Sequence, residues 1–153
     1  MKAGDQFHVG IVVDDLDATL AELTALFGYE WSDPIGGPTS VMLPAGPIEV
    51  DFSLVYSRTT PRLEIIRSVP GTMWTPVAGS GLHHVGYWSD DVDADSRELE
   101  SRGFATEAVG TQADGGAHWA YHRRSTGPRV ELMSRQLQPL LEQVWGPAGE
   151  RDL

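Results

Sequence analysis

Two histidines and two glutamates stand in matched surroundings in this sequence. His8 and His84 each open a His-Val-Gly triplet, and Glu64 and Glu131 each lie inside a Pro-Arg-apolar-Glu stretch, PRLEII and PRVELM. Neutral imidazoles and carboxylates together suit a divalent ion of the Zn, Ni, Co, Mn or Fe group, and two carboxylates balance its charge in a water-poor cleft. With no Cys in the chain, thiolate metal sites, thiolate nucleophiles and disulfides are excluded, so a metal falls to His, Asp or Glu. Glu64 has Leu63 and Ile65 beside it, and Glu131 has Val130 and Leu132. A carboxylate in such a place needs a compensating partner.

The matching is an internal duplication. His8–Leu23 (HVGIVVDDLDATLAEL) and His84–Leu99 (HVGYWSDDVDADSREL) align at an offset of 76 with nine of sixteen positions identical, and the two glutamate stretches align at an offset of 67. Each copy begins with an apolar strand, Phe7 to Val13 and Leu82 to Ser89. Paired acids, Asp14-Asp15 and Asp90-Asp91, then open a helix, through Leu16, Leu20, Leu23 and Phe27 in one copy and Asp91 to Arg102 in the other. Gly28 and Gly103 end the helices. Turn-rich residues 33–38 lead to a strand with period-2 alternation at Ile48–Tyr56, and Leu63–Arg67 follows; the second copy has strands from Phe104, at Ala117–Arg123 and at Arg129–Ser134. The unit is βαβββ, twice. The expected fold is α+β, a single domain over 1–153 with modules at 6–68 and 82–135, a Pro/Gly-rich connector at 69–81, and a tail at 136–153 carrying a closing helix near Leu137–Trp145.

Strand parity assigns faces. If Phe7, Val9, Ile11 and Val13 pack on the helix, then His8, Gly10 and Val12 face the other way, as do His84, Gly86 and Trp88; His83 then belongs to the helix side. His8, Glu64, His84 and Glu131 form the expected metal site, and Val12 and Trp88 are placed on the wall of its substrate pocket.

Composition narrows the partners. A formal charge of −11 repels a phosphate backbone, so nucleic acid is not expected. No run is long and apolar enough for a membrane span, and the first residues lack a secretory signal, so the chain reads as cytoplasmic and free of membrane. Other signals are weaker. Asp91-x-Asp93-x-Asp95 imitates a calcium loop, but Ser96 and Arg102 stand where Gly and Glu are needed, and helix capping explains the acids. His118 and His122 share a strand face about 13 Å apart, too far for one ion, and read as surface or rim residues; Trp74 reads as core.

Through HVGIVVDDLD, PRLEIIR, LHHVGYWSDDVD and PRVELMS, from Phe7 to about Arg135, the sequence resembles the vicinal oxygen chelate superfamily, the glyoxalase, bleomycin-resistance and extradiol-dioxygenase group, in the branch containing methylmalonyl-CoA epimerase. The resemblance implies two tandem modules in a curled mixed sheet around a cleft, with the same four residues as ligands. It implies a small-molecule substrate and a homodimer. Four protein ligands leave two octahedral positions for vicinal oxygens, and a Glu whose proton affinity is raised by burial, Glu64 or Glu131, acts as base next to a polarised carbonyl. Lyase or isomerase chemistry, glyoxalase-like or epimerase-like, is the resulting expectation. Glutathione-dependent members carry Arg and Asn where this chain has Val12 and Ser68, which argues against a glutathione substrate. Alternatives within the resemblance are a metal-free antibiotic-binding resistance protein and an extradiol-type dioxygenase.

Overall fold

The β-branched run near the start forms strand β1 (Gln6–Val13); a computed structural model describes residues 1–146, and the remainder of the expected 136–153 tail lies outside the described residues. Asp15 caps helix α1 (Leu16–Phe27) by accepting the Ala18 N–H at 2.9 Å, and Gly28 ends it at φ 73°. Strands β2 (Ile35–Leu43), β3 (Gly46–Tyr56) and β4 (Arg62–Arg67) complete the first unit. The second unit repeats it as β5 (Leu82–Ser89), α2 (Val92–Ser101), β6 (Ala105–Thr111), β7 (Ala117–Arg123) and β8 (Arg129–Ser134). Asp91 caps α2 on the Ala94 N–H, so acids at the same offset do the same work. Helix α3 (Gln138–Trp145) follows, with Pro in its first turn, where a missing N–H is harmless. No helix among the described residues is long and apolar enough to cross a membrane.

The eight strands close into a barrel in the order β1-β4-β3-β2-β6-β7-β8-β5, a mixed curled sheet as the duplication predicts. Parallel pairs β1/β4 and β5/β8 carry equivalent registers: Gly10 faces Glu64 and Gly86 faces Glu131. The modules meet at two seams. Antiparallel β1 and β5 make one, and β2 and β6 make the other through just Val41 and Met42 against Gly110 and Val109. The first seam brings the two histidine-bearing strands together. The interior holds Val12, Val41, Val50, Ile66 and Trp74 in one apolar cluster, so Trp74 is core.

Four readings of the sequence change. Residues 35–38, read as turn, belong to β2; a Cβ on Gly36 would lie 1.9 Å from the Phe52 carbonyl oxygen, so glycine there permits a close approach of β2 to β3 rather than a turn. Phe27 closes the helical apolar spacing but is 70% exposed at the end of α1. His122 is fully buried rather than on the rim, because α2 packs across that face of β7.

The fourth change concerns parity. In the β1/β5 pairing, Gln6 and His8 oppose consecutive residues Tyr87 and Gly86, and Gly10 and Ile11 oppose His84 and Leu82. Phe7 and His83 are therefore the extra residues of two β-bulges, at equivalent positions of the two copies. A bulge breaks strict alternation. Phe7 turns to stack on Trp88 at 3.8 Å between ring centroids, and His83 turns to His84 instead of the helix side.

Candidate metal centre

His8 and His84 lie on adjacent antiparallel strands, and each imidazole covers a glycine of the other copy. His8 pairs with Gly86 and His84 with Gly10. A Cβ on Gly10 would fall 1.8 Å from Cε1 of His84, and one on Gly86 would fall 2.0 Å from Cε1 of His8. The third residue of the His-Val-Gly triplet thus makes room for the opposite histidine. Glu64 and Glu131 reach the same point from β4 and β8, each one strand further out.

The four donors converge. His8 Nε2 lies 2.8 Å from His84 Nε2, 3.5 Å from Glu64 Oε2 and 3.0 Å from Glu131 Oε2, while His84 Nε2 lies 3.0 and 3.4 Å from the same two oxygens. All four ligand atoms are within 4.8 Å of one another, in the one such cluster found among the described residues. Donors about 2.1 Å from a common ion lie about 3.0 Å apart at right angles and about 3.4 Å apart in a tetrahedron. The observed separations fit either. All four residues are buried, and Glu64 Oε2 and Glu131 Oε2 have no hydrogen-bond partner. Two buried, unbonded carboxylate oxygens aimed at two imidazole nitrogens are what an ion-binding set requires. One chain supplies every ligand.

Electrostatics couple the four tightly. Burial disfavours charge on His8, yet Glu64 and Glu131 outweigh it and raise its pKa to about 9; His84 is raised for the same reasons. Burial pushes both carboxyls up, but His8 and His84 hold each below the ordinary carboxylate value. The expectation that burial alone raises a glutamate toward neutrality therefore fails in the metal-free site, because a facing imidazole sits 3.0 Å away.

Residues that the sequence reading missed support the ligands. Tyr56 Oη donates to Glu64 Oε1 at 2.5 Å and leaves Oε2 turned inward. Tyr121 holds the corresponding place across from Glu131, and burial together with the carboxylates pushes both phenols well above their usual range, so they remain donors. Their mutual offset of 65, against 67 for the glutamates, hid them from alignment. Replacing Tyr56 by Phe is expected to leave Oε1 buried and unsatisfied. That should destabilise the protein by about 1–3 kcal/mol in denaturant unfolding and weaken metal binding about 10–100-fold.

His83 supports His84 differently. Its Nε2 lies 2.9 Å from the Met73 carbonyl oxygen, which can accept only, so Nε2 carries the proton. Burial lowers the His83 pKa to about 4, which keeps the ring neutral and makes its Nδ1 an acceptor. His84 Nδ1 therefore donates to His83 Nδ1 at 2.9 Å and its Nε2 lone pair faces the other ligands. At the equivalent place before His8 stands Phe7, with ring centroids 4.4 Å apart, and His8 Nδ1 has no hydrogen-bond partner.

A cavity of about 200 Å³ opens on the carboxylate side, reaching Glu64, Glu131, Tyr56 and Tyr121. Phe52, Leu54, Ile66, Trp119 and Met133 wall it, and Leu137 with Leu140 and Leu141 of α3 covers it. Val12 is packed in the interior cluster and is not among the lining residues. Trp88 lies against a separate cleft behind the His8 ring, with Phe7, Arg62, Arg135 and Trp145. Trp119 of β7 is the indole that lines the carboxylate cavity.

The model of the Glyoxalase/Bleomycin resistance protein/Dioxygenase superfamily matches residues 7–122. Solved structures with the same fold include a variant of Streptomyces coelicolor methylmalonyl-CoA epimerase in complex with 2-nitronate-propionyl-CoA (TM-score 0.58, 19% identity, covering 85% of this chain and 96% of that one). The methylmalonyl-CoA epimerase of Mycobacterium tuberculosis gives 0.55 at 16% identity, covering 88% and 91%. A variant of 4-hydroxymandelate synthase from Streptomyces coelicolor gives 0.54 at 20% identity, covering 85% of this chain and 38% of that one. No curated protein sequence matches the chain.

Proposed function

The chain belongs to the glyoxalase/bleomycin resistance protein/dioxygenase superfamily, and from that premise we propose that it is a metal-dependent isomerase or lyase that moves a proton next to a chelated carbonyl of a small substrate. The observation that carries the reading is the convergence of His8, Glu64, His84 and Glu131 on one buried point beside a cavity. These four residues would hold a divalent ion of the Zn, Ni, Co, Mn or Fe group, their nitrogen and carboxylate donors suiting that series. When bound, such an ion polarises a carbonyl oxygen and acidifies the adjoining C–H.

The protein's own groups do the rest. Glu64 and Glu131 are the two bases within reach of the cavity, and the one that loosens from the cluster would receive the proton at its freed Oε2. Tyr56 fixes Glu64 by its outer oxygen, so the inner oxygen keeps its place while charge shifts around it. The apolar wall and α3 exclude water, which strengthens each electrostatic contact in the site. Around a six-coordinate ion these four residues would leave room for a bidentate substrate and none for a third exogenous group, which favours proton transfer over oxygen chemistry. A metal-free binding protein has no use for two unbonded carboxylate oxygens facing two imidazoles. A homodimer belongs to the same proposal, with light scattering as its measurement.

Metal analysis of untagged protein tests the reading. We expect about one equivalent of a first-row transition metal after reconstitution, and less than about a tenth in His8→Ala and Glu131→Ala. Uptake unchanged by both substitutions would end it.

A further inference from the structure

The cavity beside the carboxylates is uncharged apart from the ligands themselves. Among the described residues that line it there is no Lys, Arg or His, and the polar side chains among them are Thr39, Tyr56, Trp119, Tyr121, Glu64 and Glu131. Two arginines of the neighbouring cleft are engaged with other groups. Arg62 stacks 4.1 Å over the Trp145 ring and donates to the Ser57 carbonyl oxygen, and Arg135 is paired with Asp5 at 2.7 Å and Asp90 at 2.6 Å. Both face the cleft on the far side of the His8 ring, which is lined by neither carboxylate.

Charge balance then selects the guest. Two neutral imidazoles, two carboxylates and a divalent ion sum to zero. An uncharged guest keeps the cavity neutral, whereas a guest bearing a carboxylate or phosphate makes it negative in an apolar surround with no cation among the described lining residues to answer it, and an unpaired buried charge is strongly disfavoured. The wall itself favours an aromatic guest: Phe52 and Trp119 stand edge to face at 6.2 Å, beside Leu54, Ile66 and Met133. We infer that the substrate is an uncharged, compact compound with vicinal oxygens and an aromatic or branched apolar group, and that anionic acids and acyl thioesters with a charged acyl part are excluded. This rests on the metal-centre reading for the chelation and for the zero sum, while the cavity wall offers an anion no lining cation with or without the ion.

Two near-isosteric probes separate the charge from everything else: 1-phenylpropane-1,2-dione, which is neutral, and phenylglyoxylate, in which an oxyanion replaces the methyl group. In water the keto acid is the better chelator of a dication, so the opposite order in the protein can come only from the site. Calorimetric titration of the zinc-loaded protein is expected to give the dione at least tenfold tighter binding. Leu140→Arg, a change at a position on α3 that is 57% exposed and still lines the cavity, should narrow that gap by strengthening phenylglyoxylate. Zinc content is measured on the same samples. If no zinc is taken up, the proposed function falls, and titration of the zinc-free protein decides the present inference, the dione being expected to bind more tightly there as well. Phenylglyoxylate binding as tightly as the dione, or neither probe binding below millimolar concentration, overturns it.

Discussion

Replacing Gly86 by Ala is expected to lower metal affinity by more than a hundredfold while leaving all four ligands in the chain. The new Cβ would stand 2.0 Å from Cε1 and 2.3 Å from Nδ1 of His8, well inside contact distance, and the imidazole has to leave its place. The backbone at this glycine is ordinary, so the effect is one of space and not of strain. Gly10→Ala should do the same to His84, where the Cβ would stand 1.8 Å from Cε1. Overpacking costs about 1–3 kcal/mol of stability, and swinging one imidazole out removes a ligand as effectively as deleting it. Gly4→Ala, with nothing within 4 Å of its Cβ, is the control and should bind metal normally. Competition against a chelator of known strength reads the result; affinities within threefold of wild type for both inner variants would mean that the histidines are not held by this packing.

The second large effect is a pH dependence whose sign differs between the metal-free and metal-loaded protein. His8 has its folded pKa raised from 6.5 to about 9 by Glu64 and Glu131 against the opposing effect of burial. The stability it contributes to the metal-free protein is full below about 6.5 and is lost as pH rises through about 9. Glu64 and Glu131, held below 4.5 by the histidines, contribute stability above that value and lose it as pH falls. Metal-free protein should therefore melt highest near pH 6.5, since below it His83 and His122, held neutral by burial in the folded chain, withdraw stability as the unfolded chain takes up their protons. A metal must displace the His8 proton, so its apparent affinity should rise about tenfold per pH unit from 6.5 to 8.5, with about one proton released per ion at pH 7.5. Titration in buffers of different ionisation enthalpy counts those protons. Affinity independent of pH, or no proton release, would show that His8 does not carry a proton in the metal-free site.

How much of this was legible before any coordinates can be traced through particular residues. The four converging donors were readable because duplication writes them twice in register, and because Glu64 and Glu131 interrupt apolar strands where a lone carboxylate is costly. The capped helices, and strands such as Leu82–Ser89, followed from local chemistry that acts within a few residues. What was hidden depends on pairing between strands. Parity cannot foresee a bulge, so Phe7 and His83 were placed on the helix face; the tyrosines become meaningful only when β3 lies beside β4 and β7 beside β8. Gly36 looks like a turn until the closeness of β3 is known. The pocket wall is made by β2, β3, β4, β7, β8 and α3, elements distant in sequence, which is why Val12 and Trp88 were poor guides to it.

The bulged pair has a stereochemical consequence. The duplication gives the centre an approximate twofold axis, and a site with that symmetry intact would present the same surroundings to either oxygen of a chelating guest, leaving its two ends indistinguishable. His83 holds one ligand imidazole through a defined hydrogen bond, Phe7 leaves the other without one, and α3 covers a single side. These departures give the centre a left and a right, so a guest can be bound in one orientation and its two faces can be told apart.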